Sequence, residues 1–175
     1  RVGFIPLELG LAKVVSSTAG EMFSSVSAGL VSTTSAPAYG PISTATRASR
    51  LVFTSAQAAT IQFPTVMLPA DLSSNSSMTL HVLAASLGST DTAPTLNFTI
   101  FTSTGSSRAA IALTVSSAAA STVPRDISTA VPAAFFDSTA ELFPTGGYWT
   151  VTAGVTSTQD QIGLYGAWFQ YVRQQ

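Results

Sequence analysis

Three stretches of this chain alternate strictly between apolar and polar residues, and that period of two restricts its fold more than any other feature. Met78, Leu80 and Val82 fall on one side of a run, with Thr79 and His81 on the other. Leu96, Phe98 and Ile100 alternate against Asn97 and Thr99, and Ile111, Leu113 and Val115 repeat the pattern after a Ser-Thr-Gly-Ser-Ser turn at Gly105. Such alternation marks strands with one buried face, because helical apolar positions recur every three to four residues instead. Leu51–Phe53, Ile61–Phe63, Thr65–Leu68 between Pro64 and Pro69, Tyr148–Ala153 after Gly146-Gly147, and Ile162–Val172 supply further β runs. Eight or so strands over about 125 residues, separated by turn residues, predict an all-β, two-sheet antiparallel jelly-roll sandwich spanning residues 46–175. The one helix-like stretch is Pro132–Phe143, where Ser138 and Glu141 have capping-box spacing and Pro144 follows.

Residues 1–45 read differently. The segment Val31–Thr46 carries Pro37, Gly40 and Pro41, which punctuate extended loop. The expectation is an extended N-terminal arm over residues 1–45, reaching toward a neighbouring molecule. The alternative is that Arg1–Val15 supplies an edge strand of the main domain. The arm begins RVGFIPLELGLAK, where Pro6, Glu8 and Lys13 interrupt any hydrophobic core of a signal peptide. No window approaches the roughly 20 apolar residues of a membrane helix.

The final run is apolar on both sides. Strict alternation places Ile162, Leu164, Trp168 and Val172 on one face and Tyr165, Ala167, Phe169 and Tyr171 on the other. A sandwich strand needs only one apolar face, so the second is expected to be covered by the arm, a sister subunit or another protein. Composition points the same way. Only 9% of residues are charged and mean hydropathy is +0.39, against about 25% charged in an ordinary soluble domain. With so little charge for colloidal stability, association is expected. Phe4, Ile5, Leu7, Leu9 and Leu11 of the arm and Tyr165, Trp168, Phe169 and Tyr171 of the last strand are the candidate interface residues. The seven basic residues form no run and net charge is −1, so a nucleic-acid partner, which would need a basic stripe, is not expected.

Two segments resemble a jelly-roll domain of tailed-bacteriophage virion proteins. Phe63–Phe101 (FPTVMLPADLSSNSSMTLHVLAASLGSTDTAPTLNFTIF) matches a Leu-Pro-x-Asp-Leu segment, a Thr-containing strand with His, a Gly-x-x-Asp-Thr-x-Pro-Thr-Leu loop and an alternating strand. The closing LYGAWFQYVR resembles that family's last strand, departing from it at Gln170, where an acid is common. The resemblance covers residues 46–175. It implies a capsid decoration (cement) protein: a homo-oligomer, dimer or trimer, held on major capsid protein subunits at the outer surface of the virion head. It implies no catalytic residue and no cofactor.

The side chains available for chemistry are sparse. Ser, Thr and Ala supply 75 of 175 residues, there is no cysteine, and His81 is the sole histidine. His81 with Asp71 and a serine would compose a triad, but no G-x-S-x-G elbow accompanies it, and a lone strand histidine is expected to be a structural hydrogen-bonder. Asp137 and Glu141 could share a helix face as a glycosidase pair, yet capping accounts for Glu141 more simply. Asp71, Asp91, Asp126 and Asp160 lack metal-loop spacing, and Asp71 and Asp91 read as turn residues; no metal is expected. Asn75 and Asn97 each open a glycosylation-type triplet that Ser/Thr-rich chains produce by chance. The aromatics Tyr148, Trp149, Tyr165, Trp168, Phe169 and Tyr171 admit two readings, a sugar-stacking platform or core and subunit interface. The scarcity of amides and paired acids beside them favours the second. The reading that follows is a non-enzymatic capsid cement protein, with a phage fibre or host-surface carbohydrate-binding module as the alternative.

Overall fold

The computed structural model describes residues 1–15, 21–22, 38–41, 49–53, 60–69, 71–72, 78–87, 95–101, 111–114, 123–131, 148–155 and 161–173. Thirteen strands are found among them. They are β1 (Val2–Leu7), β2 (Lys13–Val15), β3 (Glu21–Met22), β4 (Ala38–Pro41), β5 (Ser49–Phe53), β6 (Thr60–Gln62) and β7 (Val66–Met67), then β8 (Met78–Ser86), β9 (Thr95–Phe101), β10 (Ile111–Thr114), β11 (Arg125–Ala130), β12 (Tyr148–Val155) and β13 (Ile162–Val172). One short 3-10 turn, Leu9–Leu11, separates β1 from β2. Every pairing is antiparallel. One sheet runs β11-β8-β13-β5-β4, with β1 also paired to β13. The other runs β10-β9-β12-β6-β2-β3, with β7 also on β12. The two form the jelly-roll sandwich.

The alternation read from the sequence is what the sheets bury. Met78, Leu80 and Val82 point inward from β8, and Leu96, Phe98 and Ile100 do so from β9. Trp149 of β12 meets Phe169 of β13 edge-on across the sandwich, ring centroids 5.7 Å apart, and both are fully buried. Phe63 stacks on Phe98 at 6.2 Å. Aromatic pairs of this kind add to the transfer energy of the buried rings, because the ring quadrupoles favour edge-to-face and offset contacts.

Two expectations are corrected here. The first concerns the arm. Val2–Leu7 pairs along its whole length with β13, and Ile5, Leu7 and Leu9 lie in the core. The pairs β2–β6, β2–β3 and β4–β5 likewise join described residues before position 45 to the sandwich, so a boundary at 45 does not divide the described structure. The edge-strand alternative for the N-terminus is the observed one. Its period-two pattern is short and is obscured by Pro6. The Arg173 N–H donates to the Arg1 carbonyl at 3.0 Å, and bonded pairs alternate along an antiparallel ladder. Gly3, Ile5 and Leu7 therefore turn their backbone groups to β13, while Pro6 turns its nitrogen away and costs the ladder no bond.

The second correction concerns β13. Its register against β8 shifts by one residue, from Leu164↔Ala84 to Gly166↔Leu83. The extra residue, Tyr165, reverses the parity of everything after it. Ile162 and Leu164 face the core with Ala167, Phe169 and Tyr171, whereas Trp168 and Val172 face outward. The strand is apolar on both sides of an unbroken alternation because it is not an unbroken strand. The helix-like stretch Pro132–Phe143 lies outside the described residues, and β11 (RDISTA) shows no apolar alternation in sequence, because its inward positions are Ile127 and the polar Thr129.

Gly3 shows how closely β1 is seated. A Cβ there would stand 2.2 Å from Cζ of Tyr171, its cross-strand partner. The ring cannot simply swing aside, since its hydroxyl donates to Asp71 Oδ1 at 3.0 Å. Gly3→Ala is expected to destabilise the fold by about 1–3 kcal/mol, the usual cost of overpacking, as measured by denaturant unfolding. An unchanged midpoint would show that β1 docks more loosely than this.

Candidate binding surface

The bulge at Tyr165 decides what the outer face of the six-stranded sheet presents. Because parity flips there, Tyr165 and Trp168 both lie on the outer side, half-buried. Register sets Pro6 of β1, Trp168 of β13, His81 of β8 and Ser128 of β11 in one row across the sheet. The imidazole of His81 stacks on the Trp168 indole, centroids 5.2 Å apart and planes within 5° of parallel. Both carboxylate oxygens of Asp126 lie 3.1 Å from His81 Nδ1. A carboxylate only accepts, so Nδ1 carries the proton it donates. Asp126 thereby orients His81, and His81 backs one face of Trp168.

Tyr165 is held in the same manner. Arg50 of β5 donates from Nη1 to its hydroxyl at 3.0 Å, and the guanidinium carbon lies 5.9 Å from the ring centre. Between these rings and the N-terminal segment lies an open groove of about 720 Å³. Phe4, Pro6, Glu8 and Gly10 line one side, and Tyr165, Gly166 and Trp168 the other. Phe4 is 61% exposed.

A second tie closes the domain at the end of β13. Asp71 accepts the Tyr171 hydroxyl through Oδ1 and faces Arg173 Nε at 3.4 Å through Oδ2, while Leu72 forms a β-bridge to Arg173. Asp71 and Leu72 thus anchor the last strand to a turn 100 residues earlier, which the Leu72 N–H closes by donating to the Pro69 carbonyl at 3.1 Å.

The candidate interface residues divide. Ile5, Leu7, Leu9, Phe169 and Tyr171 belong to the domain's own core, and of these Leu7 and Leu9 also border the groove. Phe4, Leu11, Tyr165 and Trp168 remain on the outside. Trp149 is core as well, which removes it from any sugar platform. His81 meets Asp126, not Asp71, and the ring serves to support Trp168. Asp137, Glu141, Asp91, Asp160 and Asn75 lie outside the described residues; Asn97 is half-buried on β9. Among the described residues no group of three His, Cys, Asp or Glu side chains could hold a metal, and no helix is long and apolar enough to cross a membrane. Sequence reasoning missed Asp126, Arg50, Pro6 and Glu8. Their roles follow from strand order and the bulge, and no local motif announces either.

These features define a jelly-roll domain with an aromatic groove on one sheet. No family model matches the chain, and no curated protein does. Solved structures similar to it include the CBM22-1–GH10 modules of Clostridium thermocellum endo-1,4-β-D-xylanase 10B complexed with xylohexaose (9% identity, 97% of this chain and 27% of that one, TM-score 0.49). Another is the arabinose-bound α-L-arabinofuranosidase MgGH51 (14%, 94% and 24%, TM-score 0.44). A third is the CBM22-1 xylan-binding domain of Paenibacillus barcinonensis Xyn10C (10%, 79% and 82%, TM-score 0.42). The chain spans about a quarter of the length of the first two. The fold assignment rests on strand order and register and owes nothing to these likenesses.

Tyr171 carries a pH signature. Burial, followed by the hydrogen bond to Asp71 and that residue's negative charge, raises its phenol pKa above the ordinary value of 10.0. The folded state therefore favours the protonated phenol more than the unfolded chain does. That stability is fully present below about pH 10 and is lost as pH rises through the folded pKa. Unfolding free energy is expected to fall above pH 10, with a shallower fall in Tyr171→Phe. Parallel alkaline profiles for the two proteins would contradict this.

Proposed function

We propose that this chain is a non-enzymatic capsid decoration protein of a tailed bacteriophage, binding major capsid protein subunits on the outer head surface as a homo-oligomer. The observation that supports it best is a pair of apolar patches on opposite outer faces of the sandwich. On the six-stranded sheet Val2 and Val172 are cross-strand partners, 49% and 47% exposed. On the other sheet Met67 and Tyr148 are partners, 59% and 38% exposed. A protein that bridges neighbours needs two contact surfaces facing different ways. A module that captures one ligand needs only one.

The energetics suit such a role. A protein that binds the assembled shell and not its separated subunits stabilises the shell by mass action. Two linked patches gain avidity without either being strong alone, provided both can engage at once. With so few charges, attachment is apolar and hydrogen-bonded and resists screening.

The test is to mix the purified protein with empty capsids and measure bound copies by sedimentation. Decoration is expected to persist at about 1 M salt, where the screening length is only about 3 Å. Val2→Asp and Met67→Asp should each reduce bound copies at least tenfold while leaving the melting temperature unchanged. Loss of decoration at moderate salt, or wild-type decoration by both variants, would sink the proposal.

A further inference from the structure

We propose that the groove between β1 and the bulged part of β13 is a binding site for a neutral pyranose ring. The sugar's apolar C–H face lies on Trp168 and its hydroxyls donate to the Glu8 carboxylate.

Four observations carry the argument. First, the aromatic side of the groove is built in advance. Trp168 is backed by the parallel His81 ring, His81 is fixed by Asp126, and Tyr165 is fixed by Arg50. Side chains already held in place lose little conformational freedom on binding, and that saving is what turns a shallow apolar surface into a useful site. Second, the lining chemistry selects the ligand. The described lining holds two aromatic rings of β13, the Phe4 ring, aliphatic carbon and one acidic residue, Glu8, and no basic residue. The Glu8 carboxylate disfavours an anion, and the nearby Arg50 is already engaged with Tyr165. A ring with an apolar face and a hydroxylated edge finds both of its complements, in keeping with apolar sites that orient their ligands by a few polar groups.

Third, the groove is open to solvent, so a ring can lie flat on its wall with the remaining hydroxyls still hydrated; a cation on the same ring faces is the competing ligand. Fourth, a peptide added as a strand beside β1 would need a backbone N–H from position 6. Proline supplies none, and proline on an exposed edge discourages that mode of association. The bulge is the structural cause of the site. Without Tyr165 as the extra residue, Trp168 would take core parity and the groove would lose its indole.

The isolated chain carries a built-in reporter. Of its two tryptophans, Trp149 is fully buried, so a ligand-induced change in indole emission arises at Trp168. The titration uses neutral hexasaccharides of glucose, galactose, mannose and N-acetylglucosamine, and tetramethylammonium chloride as the cation probe. At least one hexasaccharide is expected to shift the emission saturably. Glu8→Gln should weaken that binding about tenfold, and Trp168→Ala should abolish both the signal and the heat of binding in calorimetry. Retained Trp149 emission and an unchanged melting temperature certify the fold of each variant. The proposal is overturned if no saccharide saturates, if the shift survives in Trp168→Ala, or if tetramethylammonium saturates where the sugars do not. Because no capsid is present, the outcome is independent of whether the protein decorates a shell.

Discussion

The pairing of β13 with β8 along nearly its whole length, interrupted by one extra residue, is the constraint on which the rest of the structure depends. β13 is eleven residues long and lies inside its sheet. It hydrogen-bonds to β8 on one side, and to β5 and then β1 on the other. An interior strand of this length sets the register for its neighbours, and each residue's parity decides whether its side chain joins the core or the surface. The bulge at Tyr165 changes that parity midway. Phe169 and Tyr171 enter the core as a result, and Trp168 leaves it to join Tyr165 on the outside.

Packing and surface chemistry are therefore consequences of the same irregularity. Phe169 reaches Trp149 across the sandwich because of its position after the bulge. Tyr171 lies over Gly3 and reaches Asp71, tying together the first strand, the last strand and the turn before β8. On the opposite face, Trp168 comes into register with His81 and Pro6, which creates the one aromatic wall described on that sheet. Bulges commonly re-aim side chains where a sheet does its work, and here the re-aimed residues are those that line the groove.

Two segments singled out in the sequence meet in the fold. The Leu-Pro-x-Asp-Leu segment and the closing Tyr-Val-Arg meet through the Asp71 carboxylate. Segments 100 residues apart in the chain thus act as two halves of one clasp. The histidine of the β8 segment supports the tryptophan of the closing strand in the same way. Both contacts hold side chains of β13 in a defined position.

Much of the architecture was legible from residue order alone, because inward and outward positions of a regular strand are written two residues apart. Met78-Leu80-Val82 and Leu96-Phe98-Ile100 announced their buried faces, and with them an antiparallel sandwich. The N-terminal strand was half-hidden, since proline at an outward-turned position is silent for the ladder but reads locally as a break. The parity of β13 after Leu164 was not legible at all: a bulge shows itself only against a partner strand, and no local residue pattern distinguishes Tyr165 as the extra one. The groove inherits that limit. Asp126, Arg50, Glu8 and Trp168 come from four different parts of the chain, and only strand order brings them to one face. Short-range periodicity determined which segments are strands and which side of most of them is apolar. Long-range pairing decided which aromatics became core and which became surface, because that choice depends on register between strands far apart in sequence.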